Sequence, residues 1–99
     1  MSALSGKQRR HLRALGQQLA ATLHVGHDGV TDAVVAQADA QLVAHELIKI
    51  RVSENAPQSR HDVAEALAAR THAELAQVIG RTALLYRPRE TDPTIVLPA

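Results

Sequence analysis

Ala21-Thr22-Leu23-His24-Val25-Gly26-His27-Asp28-Gly29-Val30-Thr31-Asp32 carries a strand, a tight loop and a helix start in succession. Ala21 to Val25 reads as a short strand. Gly26 and Gly29 then bracket His27 and Asp28. Glycine at such points permits positive φ and close approach of another backbone. Thr31 stands as an N-cap for a helix predicted over Asp32 to His45. Val30 and Val35 have the spacing of a hydrophobic staple. Asp32 suits the positive end of the helix dipole. Val34, Val35, Ala38 and Leu42 make the apolar face.

Downstream, Glu46 to Ser53 is the clearest strand. Ile48, Ile50 and Val52 alternate with Leu47, Lys49 and Arg51, so one face is apolar and the other partly basic. Asn55-Ala56-Pro57 is a turn or loop. Ser59 suits the start of a third helix running to about Thr71, with Val63 and Leu67 on its buried side. Leu75 to Ile79 and Thr82 to Arg87 flank Gly80-Arg81, a linker short enough for an antiparallel hairpin.

Upstream, Ser5 caps a first helix predicted over Gly6 to Leu19. Leu12, Leu15 and Leu19 form its apolar stripe. Arg9, Arg10, Arg13 and Gln17 fall on the opposite side and give a basic, solvent-facing surface. Gly16 weakens the later turns. Pro88, Pro93 and Pro98 make the end irregular, with Thr94 to Leu97 as a possible short extended segment. The order α-β-α-β-α-β-β implies the α/β class: a single-domain, two-layer sandwich with a mixed four-stranded sheet. The expected core spans about residues 4–88, and 89–99 form an irregular tail.

The chain has 99 residues, enough for one domain. Its apolar residues are almost all aliphatic, with one Tyr and no Phe, Trp or Cys. Disulfides and thiolate metal sites are therefore excluded. No apolar run approaches the ~20 residues of a membrane helix, and the basic N-terminus lacks the apolar core of a signal peptide. A soluble, cytoplasmic monomer is expected. The formal net charge is only +1, but it is segregated along the chain. Lys7, Arg9, Arg10 and Arg13 precede a stretch from Ala14 to Ile48 without Lys or Arg. Arg81 to Arg89 carries three arginines and no acid. Such segregation fits either an anionic partner or a solvated helix face.

No catalytic constellation is visible. Glu46 and Glu54 have no identifiable partner, and most acids read as surface charge. The six histidines follow no zinc-binding pattern. No metal, cofactor or small-molecule substrate is expected. The glycine loop leads into a helix N-terminus, whose free N–H groups suit a phosphate. In KH domains a Gly-x-x-Gly loop clamps a nucleic-acid backbone. Alone, the motif reads first as two glycines in a tight turn, and only second as a phosphate-binding loop. The missing aromatics argue against base stacking on a sheet. RNA binding would then rest on phosphate, sugar or shape, with strong salt dependence.

Four segments carry a family resemblance in order. They are Ser5-Gly6-Lys7-Gln8-Arg9 through Leu15, Val25-Gly26-His27-Asp28-Gly29-Val30-Thr31, His45-Glu46-Leu47-Ile48-Lys49-Ile50, and Gln77-Val78-Ile79-Gly80-Arg81-Thr82 through Pro88. Together they resemble the CRM domain (chloroplast RNA splicing and ribosome maturation) in its stand-alone bacterial YhbY form. The resemblance implies a fold similar to the C-terminal domain of translation initiation factor 3. It implies RNA binding without enzymatic activity, with ribosomal RNA in precursors of the large subunit as partner and ribosome assembly as setting. It makes Gly26 to Gly29 the RNA-contacting loop, extended by Lys7, Arg10 and Arg13. Charge alone extends that surface to Lys49, Arg51 and Arg81. The full expected set is Lys7, Arg9, Arg10, Arg13, Gly26, His27, Asp28, Gly29, Thr31, Lys49, Arg51 and Arg81. One departure stands out: the loop's inner positions, often basic or small and polar in the family, are His27 and Asp28. An aspartate repels phosphate unless it turns away or caps the next helix, which shifts the expected contact to backbone N–H groups. The alternative is a protein-interaction module whose basic face docks an acidic partner.

Overall fold

The computed structural model describes residues 4–99. Its elements are α1 (Gly6–Gly16), β1 (Ala21–Val25), α2 (Asp32–His45), β2 (Leu47–Val52), α3 (Arg60–Thr71), β3 (Glu74–Ile79) and β4 (Thr82–Tyr86). This is the order read from the sequence. The strands form one sheet in the order β1-β2-β4-β3. β1 and β2 run parallel, and the other pairs are antiparallel. The expected mixed sheet is therefore present, and the β3–β4 hairpin turns at Gly80 and Arg81.

Local chemistry sets the helix starts. Ser5 and Gln8 form a reciprocal capping box. The Thr31 hydroxyl accepts from the Val34 amide at 3.1 Å, and the Ser59 hydroxyl accepts from the Asp62 amide at 3.1 Å. Each such cap contributes about 1 kcal/mol.

Strand alternation divides the core. Leu23, Val25, Ile48, Ile50, Val52, Ala83 and Leu85 pack against Ala38 and Leu42 of α2 and Val63, Ala64 and Leu67 of α3. Leu47, Leu84 and Tyr86 turn to the other face, where they meet Leu12 of α1 and Ile95 and Leu97 of the tail. The sheet and the α2–α3 layer form the sandwich. α1 and the tail lie across part of its second face.

α1 ends three residues earlier than predicted, at Gly16 rather than Leu19. Its stripe also differs from expectation. Leu12 is fully buried, but Leu15 and Leu19 are 39% and 36% exposed. The reason is Gly16. A Cβ on that residue would stand 2.4 Å from Leu84 Cδ1. Glycine lets the helix backbone rest directly on the sheet, so α1 buries Leu12 and Gly16, one turn apart, and lifts its later leucines away. What reads in sequence as a weak point is a packing requirement.

Glu46 is a second correction. It was expected on the surface at the start of a strand. Instead it is fully buried, with φ of +66°, between α2 and β2. Its Oε1 accepts from the Thr94 amide, the Thr94 hydroxyl and the Ile95 amide, and its Oε2 accepts from the Arg89 amide. The tail has no helix or strand, and Thr94 to Leu97 joins no sheet, yet this carboxylate anchors it. Tyr86 is buried nearby. Burial, and secondarily the charge of Glu46, raise its phenol above the ordinary value.

Burial alone would raise the Glu46 pKa. The hydrogen bonds from Thr94, Arg89 and Ile95 outweigh it and hold the group at about 2, against an ordinary 4.5. A depressed carboxylate pKa stabilises the fold above the unfolded value and loses that contribution as pH falls through the folded one. The window here is pH 4.5 down to about 2. The difference is on the order of 3 kcal/mol. Glu46→Gln should therefore lower stability at neutral pH by about 2–3 kcal/mol. Urea unfolding followed across pH should show a flatter acid limb in the variant. Equal acid sensitivity of the two proteins would refute this role.

Candidate nucleic-acid interface

β1 and β2 run parallel, and each leads through a loop into a helix. Both loops and both helix N-termini therefore share one edge of the sheet. The partial positive charge of the two helix starts lies at that edge.

The glycine loop is closed by the Gly29 amide, which donates to the Gly26 carbonyl at 2.9 Å. The two glycines do different things. Gly29 has φ of +69°, and a Cβ there would stand 2.4 Å from Gln58 Oε1 and 3.0 Å from Pro57 Cγ. The positive φ favours glycine, and a Cβ would in addition force the Gln58 side chain aside and crowd Pro57. Gly26 lacks positive φ, and a Cβ there would meet nothing within 4 Å. The expectation that both glycines use their conformational freedom is corrected to Gly29 alone. Between them, His27 Nε2 lies 3.2 Å from Asp28 Oδ1, with both side chains about three-quarters exposed. Asp28 does not cap α2, because Thr31 does. The aspartate instead leans on its neighbour's ring.

The second face of the sheet supplies the rest. Leu23 and Val25 point to the helical core, so His24 turns the other way. By the same alternation Lys49 and Arg51 share that face. The register aligns His24 with Arg51, Arg51 with Thr82, and Thr82 with Ile79, a row across all four strands. α1 and the tail cover Leu47, Ala76, Leu84 and Tyr86 and leave this row bare. At its β1–β2 end lies an open cleft of about 670 Å³, lined by His24, Gly26, Arg51, Ser53, Glu54, Asn55 and Arg81. The Arg81 carbonyl accepts from the Val52 amide at 2.8 Å, which pins the hairpin turn beside the cleft.

The cations divide into two groups. Lys7, Arg10, Arg13, Lys49, Arg51 and Arg60 have no carboxylate within 4.0 Å among the described residues. The others are engaged. Arg9 was expected on the solvent face of α1; it is half-buried, and its Nη1 donates to the Leu75 carbonyl at 2.6 Å. Arg87 donates to Asp39 Oδ1 at 2.7 Å and to the Thr71 carbonyl at 2.6 Å. Arg89 reaches the Val43 and Ala44 carbonyls at the end of α2. The arginines at 87 and 89 thus serve the fold and form no basic stretch with Arg81. Arg70 pairs with Asp32 at 2.6 Å, and Arg81 with Glu54 at 3.3 Å.

The structure thus brings Gly26, Arg51 and Arg81 to one cleft, with His27, Asp28, Gly29 and Thr31 in the loop above it. Gly16 and Gln17 border a depression with Lys49, Gln77 and Thr82. Arg13 is exposed in the last turn of α1, three residues before Gly16, and Lys7 is at the helix's far end. Two residues, His24 at the cleft and Arg60 at the start of α3, were not among the expected site residues. His24 was legible from the alternation of Leu23 and Val25. Arg60 opens α3 two residues after Gln58, whose side chain packs on Gly29, and that packing has no local sequence signal. No three His, Asp or Glu side chains converge as metal ligands among the described residues.

Comparison with known proteins gives the family of the chain. Residues 4–87 match the CRS1/YhbY (CRM) domain family. The chain is similar to YqeI of Bacillus subtilis, named a probable RNA-binding protein, at 40% identity over 96% of this chain and 99% of that one. It is similar to a Haemophilus influenzae protein named RNA-binding protein, at 35% identity over 99% and 98% of the two chains. The solution structure of SAV1595 from Staphylococcus aureus, a hypothetical protein with a suggested RNA-binding role, superposes with a TM-score of 0.82. Its identity is 36% over 96% of this chain and 99% of that one. The chain belongs to the CRS1/YhbY (CRM) domain family.

The two loop glycines should separate in a mutational test. Gly29→Ala should cost about 1–3 kcal/mol through positive φ and overpacking. Gly26→Ala should stay within about 0.5 kcal/mol of the parent. Thermal or urea unfolding of both variants checks this, and equal losses would contradict the assignment.

Proposed function

We propose that this CRM-domain protein binds RNA through the glycine loop and the bare half of the second sheet face, continued by the exposed basic side of α1. One observation carries the reading. Lys49 and Arg51 on the sheet, and Arg13, Arg10 and Lys7 on α1, have no carboxylate within 4.0 Å among the described residues, while Arg9, Arg70, Arg87 and Arg89 elsewhere in the fold are paired or bonded to carbonyls. Unpaired cations gathered on one side favour a polyanion. The RNA-binding names of full-length relatives support the same reading.

The mode of binding follows from what is absent on that face. The one aromatic residue, Tyr86, is 4% exposed and offers no stacking platform. The contacts are phosphate contacts from Lys and Arg, with backbone N–H groups of the loop and of the α2 start. These fix position and orientation and read little sequence. Specificity then comes from RNA shape. Structured ribosomal RNA in precursors of the large subunit suits such a surface, and we assign the protein to that assembly setting, as a cytoplasmic monomer without catalysis or cofactor. No helix among the described residues is long and apolar enough to cross a membrane.

Affinity for a large-subunit ribosomal RNA fragment should fall steeply between about 50 and 300 mM salt. Lys49→Ala with Arg51→Ala should weaken binding roughly tenfold at low salt and reduce the salt slope by about one per lost phosphate contact. Unfolding stability should change little, since Arg51 is exposed and neither residue makes an ion pair with a described residue. Salt-independent binding, or an unaltered slope in the double variant, would sink the proposal. So would a nuclease-resistant protein partner recovered in place of ribosomal particles.

A further inference from the structure

We propose that the cleft at the ends of β1 and β2 is a binding site for one backbone phosphodiester of RNA, and that Glu54 is the intramolecular anion this phosphate displaces. The proposal rests on the RNA reading above and deepens it.

The cleft gathers Arg51 from β2, Arg81 from the hairpin turn and His24 from β1 around the exposed backbone of Gly26. Arg51 and His24 are register partners on adjacent strands, so their side chains rise from the same face. Arg51 has no carboxylate partner among the described residues. Arg81 has one, Glu54, and Glu54 is the only acid lining the cleft.

That pair is built to be broken. Its single contact of 3.3 Å is longer than the ~2.7–2.9 Å of a well-formed charge-assisted bond. The side chains are 41% and 82% exposed, so water and salt screen the attraction. Glu54 makes no other hydrogen bond or ion pair with a described residue, and nothing holds it once Arg81 turns elsewhere. A phosphodiester offers two unesterified oxygens sharing one negative charge. It matches the planar fork of a guanidinium better than a one-point carboxylate contact does. Arg81 would take one oxygen, and Arg51 the other.

The loop beside the cleft supports the same ligand. The Ser53 hydroxyl donates to the Asn55 side-chain oxygen, and the Asn55 side-chain NH2, with no hydrogen-bond partner among the described residues, is a further donor. At Gly26 no side chain projects into the space a backbone phosphate needs. Until RNA arrives, Glu54 keeps Arg81 turned toward the cleft and repels unbound anions. It thereby lowers affinity, which would favour release from RNA.

The test uses the whole protein, a structured fragment of large-subunit ribosomal RNA, and affinities across a salt series. Glu54→Gln should tighten binding about 1.5-fold to fivefold, the scale of one exposed ion pair. Arg81→Gln should weaken binding and lower the salt slope by about one. Glu54→Gln should give a clearly smaller gain when combined with Arg81→Gln, because only its direct repulsion of the phosphate is then relieved. Glu65→Gln, which removes an exposed acid of α3, should change little. A neutral or weakening Glu54→Gln, an equal gain from Glu65→Gln, or a gain undiminished in the Arg81→Gln background would each overturn the cleft assignment. In all three cases the RNA reading would stand. Failure of the parent protein to bind the RNA at any salt would overturn both.

Discussion

Parallel pairing of β1 with β2, from Ala21 opposite Lys49 to Val25 opposite Val52, cannot be closed by a tight turn. The chain must cross over between the two strands, and α2 is that crossover. Because the strands point the same way, both end at one edge, where both following helices begin. The glycine loop, the Ser53–Asn55 loop and the starts of α2 and α3 meet there as a direct result. An antiparallel pairing would have sent these features to opposite ends. The same pairing sets His24 beside Arg51 and so makes the cleft.

A second constraint decides which part of the sheet stays open. Gly16 brings α1 onto Leu84, and Glu46 draws the tail back over Leu47 and Tyr86. Together they cover the half of the face that carries Leu47, Ala76, Leu84 and Tyr86. The half with Arg51 and Thr82 has no such cover. The buried carboxylate and the helix glycine are thus remote from the cleft but define its boundary. Arg9 and Arg89 belong to this covering apparatus, and neither belongs to the surface it leaves exposed.

Much of the fold was legible because it follows local rules. Ser5, Thr31 and Ser59 cap the helices they were expected to cap, and the alternation over residues 46–53 gave β2 its two faces. The illegible parts depend on contacts distant in sequence. Gly16 looks like a helix breaker until Leu84 is opposite it. Glu46 looks like surface charge until residues 89–95 return to it. Arg9 looks like an RNA contact, and Arg87 and Arg89 like part of a basic stretch, until their carbonyl and carboxylate partners are seen. The family resemblance supplied the loop, but it could not distinguish the structural glycine, Gly29, from the open one, Gly26. His24 was within reach of the alternation argument and was passed over, because a histidine in a short strand carries no charge signal of its own.

The central claim is spatial: RNA meets the loop edge and the bare half of the second sheet face, and the α2–α3 layer faces away. Backbone amide shifts of the labelled protein, followed by NMR during titration with a large-subunit ribosomal RNA fragment, test it residue by residue. The account predicts the largest changes at His24 to Gly29, Lys49 to Asn55 and Arg81 to Thr82, with smaller ones at Arg10 and Arg13. Changes centred on the outer faces of α2 and α3, at Ala33, Ala40, Glu65 and Ala69, would contradict it.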